Sequence, residues 1–200
     1  MSLSETIEGM QTEATPETGA VSFAEDNTFA PTGGAWPRGQ YPATIVAEGQ
    51  RKNSVVRTED VPSKDGTSRN LFIALQLTDP ATIDPNTGSP RTKFDKLLVN
   101  YRPSDITNYA ERKAIVEAAK QRNAGLPMGQ KWDDPDAQRT FLSLEQLKDL
   151  QKNVEGFTPA INGSGGFNTA PLVGQAGTVN YGIGKDGFNR VNSLRKFSRG

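Results

Sequence analysis

Two phenylalanines stand alone on the polar faces of strand-like segments, with cations beside them. In residues 70–78, Leu71, Ile73, Leu75 and Leu77 alternate with Asn70, Phe72, Ala74, Gln76 and Thr78. In residues 91–102, Leu97, Val99 and Tyr101 alternate with Phe94, Lys96, Leu98, Asn100 and Arg102. Successive strand side chains point to opposite faces, so Phe72, Phe94, Lys96 and Arg102 share one polar face. Isolated rings among cations suit base stacking and phosphate contact. The competing reading is that downstream helices cover this face and make both rings core.

Other chemistry is thin. The chain has no cysteine and no histidine, which removes thiolate chemistry, ordinary zinc sites and every His-based triad. Carboxylates cluster at Glu59-Asp60 and at Asp133-Asp134-Pro135-Asp136. Paired carboxylates can hold magnesium or transfer protons, but the second cluster sits at a helix start, where Asp favours the helix dipole. Residues 182–187 match G-x-G-x-x-G, yet Phe-Asn-Arg-Val-Asn follows, which reads as a strand. A dinucleotide site needs a helix there, so a hairpin turn is expected. Residues 84–88 lack the ligands of a calcium loop and read as a proline-rich turn. No catalytic residue, metal or cofactor is expected.

Charge is divided unevenly. Residues 1–36 hold six acidic residues and no Lys or Arg, a charge of −6. The rest holds all 23 basic residues and 17 acidic ones, a charge of +6. A basic body favours polyanions. The first 36 residues are poor in aliphatics and read as a flexible acidic arm, with Phe23, Phe29 and Trp36 as docking anchors. The N-terminus lacks a signal-peptide pattern, and no run is long and apolar enough for a membrane helix. A soluble protein of a bacterial host's cytoplasm, or of a particle assembled there, is expected.

The remaining residues, 37–200, read as one mainly β domain. Strands are expected at 41–47, 70–78, 93–101, 178–183 and 188–197. Residues 48–69 read as a long basic loop with Arg51, Lys52 and Arg57, with a Lys64-Asp65-Gly66 turn near its end. A helix is expected from Ser104 to near Gly125. A second is expected to open on the capping-box pattern Ser143-Leu144-Glu145-Gln146. Residues 156–171 read as a flexible linker. Lys185, Phe188, Arg190, Arg195 and Lys196 make the last segment aromatic and basic. Five strands, with helices inserted between the third and fourth at about 104–155, suit an OB-like barrel.

Segments 39–45 (GQYPATI), 70–77 (NLFIALQL), 96–101 (KLLVNY), 172–179 (LVGQAGTV) and 187–191 (GFNRV) together resemble the single-stranded-DNA-binding OB-fold proteins of bacteriophages. The resemblance covers about half the chain. It implies non-catalytic, cooperative coating of single-stranded DNA in replication or recombination, alongside replication or recombination proteins. Oligomeric state is left open, a homo-oligomer included. A second reading is a virion protein, a capsid cement or decoration subunit whose arm clamps neighbouring capsid subunits.

Overall fold

The computed structural model describes residues 36–51, 53–127, 130–183 and 189–200. The body is mainly β. Its strands are β1 (Gly39–Ile45), β2 (Glu48–Arg51), β3 (Ser54–Arg57), β4 (Glu59–Pro62), β5 (Arg69–Ile83), β6 (Pro90–Tyr101), β7 (Ala176–Ile183) and β8 (Asn189–Ser198). Between β6 and β7 the chain forms α1 (Pro103–Thr107), α2 (Tyr109–Arg122) and α3 (Pro135–Asn153).

All pairings between strands are antiparallel. The main sheet runs β4-β5-β1-β7-β8, with β6 on the other edge of β5. It curls strongly into a half-barrel. Its two ends, β6 and β8, approach each other, and α3 packs on both. The concave side holds the core. Ile45, Leu71, Ile73, Leu75, Leu77, Val99 and Val179 are fully buried there, and Leu147 and Leu150 of α3 join them. The period-2 pattern thus places the apolar faces of β5 and β6 inward.

One edge of β5 is shared. β1 pairs with it at residues 43–45, and β4 at residues 59–62. At the changeover Val46 N donates to Ala74 O (3.0 Å), Ala74 N donates to Thr58 Oγ1 (3.0 Å), and the Thr58 hydroxyl donates to Val46 O (2.6 Å). A side chain thus bridges a gap in the backbone ladder. Between these two partners of β5, the β2–β3 hairpin leaves the sheet. Residues 48–69, expected as a loop, instead form this hairpin and β4, followed by the expected turn at Lys64-Asp65-Gly66. In that turn Asp65 accepts from Thr67 N (3.1 Å), and Gly66 takes φ +68°.

The helices depart from the expected bounds. Asn108 breaks the first into α1 and α2. α3 opens at Asp134, whose carboxylate accepts from Ala137 N (2.9 Å), with Pro135 behind it. Ser143 lies buried in mid-helix and donates to Thr140 O, so the capping-box pattern there caps nothing. Asp followed by Pro is the stronger start signal, because proline lacks the N–H that a first-turn residue would leave unpaired.

The expected linker 156–171 is packed, not loose. Phe157 and Phe167 are 5% exposed, and the Phe167 ring lies 4.7 Å from that of Tyr101. Asp60 draws the segment in. Its carboxylate accepts from Phe167 N (2.6 Å), from the Tyr101 hydroxyl (2.5 Å) and from Arg69 Nε (2.9 Å). Burial, reinforced by Asp60, raises the Tyr101 pKa far above its ordinary value. Trp36, expected in the arm, belongs to the body. It is 2% exposed, and its carbonyl accepts from Asn189 Nδ2 (2.7 Å). Phe23, Phe29 and the rest of the arm lie outside the described residues.

Candidate nucleic-acid interface

The convex face of β5 and β6 is a grid set by register. Gln76 lies opposite Phe94, Ala74 opposite Lys96, Phe72 opposite Leu98, and Asn70 opposite Asn100. At the Phe94 end the β2–β3 hairpin folds over it. Gly49 is buried, and a Cβ there would come within 2.1 Å of Phe94 Cδ1. Val56 of the same hairpin is 2% exposed. Phe94 therefore packs beneath a second layer, but that layer is the hairpin and not the downstream helices that the competing reading expected.

Phe72 is placed differently. It is partly exposed, and Lys96 Nζ sits 4.4 Å from its ring centroid. This pairing holds the cation beside a ring face at a small energetic gain, about 0.5–1 kcal/mol. Leu98 beside them is 45% exposed. On the β6 side the first half of α3 borders the face. Arg139 Nη2 donates to Asn100 Oδ1 (2.8 Å), and Leu142 is 55% exposed. The result is an open strip of aromatic, aliphatic and cationic groups between the hairpin and a helix.

The other expected residues divide. Arg102 does not join the strip. It pairs with Asp105 (3.1 Å) and Asp136 and donates to Thr140, with its side chain 14% exposed. That network, with Arg112, clamps the helices to the end of β6. Arg102 holds Asp136 below the usual carboxylate range. Asp133 pairs with Arg122, and Asp134 caps α3, so each carboxylate of that cluster has a structural partner. Arg51 and Arg57 are exposed on the hairpin, paired with Asp95 (3.6 Å) and Glu48 (3.2 Å). Arg190 is exposed at the start of β8. Arg195 and Lys196 are exposed near the other end of β8, where Phe197 bridges to Val154 at the close of α3. Lys52, Lys185 and Phe188 lie outside the described residues. β7 and β8 nonetheless pair antiparallel on either side of the glycine motif, with Ile183 opposite Asn189.

The strand pattern also misses a charged group on the inner face. Lys93 and Asp95 point inward, in line with Leu97 and Val99. Lys93 Nζ lies 3.7 Å from the Tyr181 ring centroid and 4.7 Å from that of Trp36, and it donates to the Tyr181 hydroxyl. Burial lowers its pKa to about 8 against the pull of Asp95, and the positive charges of Arg51 and Arg91 lower it further. Burial, with Asp95 adding, raises Tyr181 to about 12. Only an unbroken count of the alternation through Leu97, Asp95 and Lys93 could have found this group.

Comparison of the chain with family models, curated proteins and solved structures finds no match.

Proposed function

We propose that this protein is a non-catalytic single-stranded-DNA-binding protein. The observation that carries the reading is the Phe72–Lys96 pair on an open convex sheet face. A base that takes the place of the Lys96 ammonium on the Phe72 ring would release that cation to the neighbouring phosphate, and base–aromatic stacking contributes about 1–3 kcal/mol per base. Arg139 borders the same face from the α3 side. The strand order β6-β5-β1-β7-β8, with the helices between the third and fourth of those strands in chain order, supports an OB-type barrel. In OB folds the corresponding strand face and its flanking loops hold oligonucleotides. A phage origin and a place in replication or recombination rest on the sequence resemblance alone.

The test is fluorescence anisotropy of a labelled oligo-dT across a salt series, with a duplex of equal length beside it. Salt-sensitive binding that prefers the single strand is expected. Phe72→Ala should weaken it by about 1–3 kcal/mol. Lys96→Ala should weaken it and reduce the salt slope by about one. No binding at micromolar protein and low salt would sink the proposal and turn attention to assembly among capsid subunits.

A further inference from the structure

Beside the Phe72–Lys96 strip, a hollow of about 370 Å³ lies between the convex face of β6 and the first half of α3. Its apolar lining includes Leu98 and Leu142, two of the most exposed aliphatic residues of the body. Its polar lining is made of amides, a guanidinium and a hydroxyl: Asn100, Gln138, Gln146, Arg139 and Ser143. Among the described residues no Asp or Glu lines it. The next hollow along α3, about 410 Å³ between β6 and β8, is lined by Glu145 and Asp149 and would repel a polyanion. Leu98 is directly opposite Phe72 in register, so the first hollow continues the strip.

We propose that this hollow is a base-reading pocket for one nucleobase turned out of the strand that crosses Phe72 and Lys96. The inference rests on the single-strand reading above. A nucleobase has two apolar faces and a polar edge. Leu98 and Leu142 match the faces, and the Gln146 amide and Arg139 match the edge. Proteins that hold a displaced base combine such apolar walls with hydrogen bonds to its edge. The chemistry also sets a preference. Arg139 has donors only, and Asn100 holds it in place through one of them. Its remaining N–H groups favour bases with a carbonyl acceptor, so thymine, cytosine and guanine are preferred to adenine, which offers ring nitrogens alone. Gln138 plays a supporting part. Its amide accepts from Trp132 N (3.2 Å) and donates to Gln130 O (2.8 Å), which ties the preceding loop to α3.

The experiment is competition anisotropy on the full-length protein with oligo-dT, oligo-dC and oligo-dA of equal length. The wild type should bind oligo-dT and oligo-dC several-fold more tightly than oligo-dA. Leu142→Ala and Arg139→Ala should each bring that ratio close to one. Phe72→Ala should weaken all three oligonucleotides by about fivefold or more and leave the ratio in place. Leu142 is on the surface, so its truncation leaves the core intact, and a melting curve checks this. Equal affinity of the wild type for the three, or a preference that both pocket variants leave unmoved, would overturn the pocket while sparing the single-strand reading. Failure of the wild type to bind any of them would overturn the single-strand reading itself. A changed sedimentation coefficient in Leu142→Ala with an unmoved ratio would make the hollow a contact between protein chains and overturn the proposal.

Discussion

Thr58 shows how much one hydroxyl can carry. It accepts from Ala74 N and donates to Val46 O where β1 gives way to β4 along β5. Ala74 is fully buried, so Thr58→Val leaves its N–H without a partner or water. A buried unpaired donor costs about 1–3 kcal/mol. The unfolding free energy of this variant should fall by that amount, read as a lower chemical-denaturation midpoint with an unchanged slope. A midpoint within error of wild type would show that the ladder closes without it. Lys93 makes a pH-dependent contribution at the same scale. Its folded pKa, about 8, lies below the ordinary lysine value of 10.5, so between these values the unfolded chain binds more protons. Stability must then rise with pH through that window. Tyr181 works the opposite way, raised from 10.0 to about 12, and costs stability above pH 10. Melting temperature should therefore climb from pH 8 to about 10 and then fall, and Lys93→Met should abolish the climb. A flat profile in the wild type would remove the desolvated amine from the account.

The β2–β3 hairpin is the element that decides which ring of the convex face is open. It seats on Phe94 because Gly49 has no side chain at the point of contact. Gly49→Val would drive two methyl groups into the ring, and overpacking of this kind costs about 1–3 kcal/mol. The expected result is a lower melting temperature and faster tryptic cleavage after Arg51 and Arg57 as the hairpin lifts. Cleavage at the wild-type rate would mean that the hairpin is not held by Phe94. α3 is the opposite boundary. Its start at Asp134-Pro135 puts Arg139 and Leu142 next to β6. A helix that began at Ser143 would leave both outside it.

Across the whole molecule the dominant quantity is the split of charge. The body carries +6 and residues 1–36 carry −6, so the net charge of zero conceals a basic body joined to an acidic segment. Neutralising four of those acids, with Glu5, Glu8, Glu13 and Glu17 each changed to Gln, should tighten binding of oligo-dT at low salt. The gain should fade as the Debye length shrinks to about 8 Å near physiological salt. Equal affinity of the two proteins across the whole salt series would show that the arm has no electrostatic influence on binding.

The amino-acid sequence by itself determined the five main strands, which apolar residues of β5 and β6 face inward, and the turns at Gly66 and Gly88. It could do so because side-chain alternation and turn chemistry are local and survive in any context. Only the tertiary structure decided which outward residues remain open. Phe72 and Phe94 are indistinguishable in the strand pattern, yet one meets Lys96 and the other meets Gly49. Arg102 looks like a phosphate ligand until Asp105 and Asp136 are brought to it. Residues 156–171 read as a loose linker until Asp60, about a hundred positions earlier, accepts the Phe167 N–H. Each outcome depends on at least one partner remote in the chain, and such contacts leave no periodic trace in the segment that makes them.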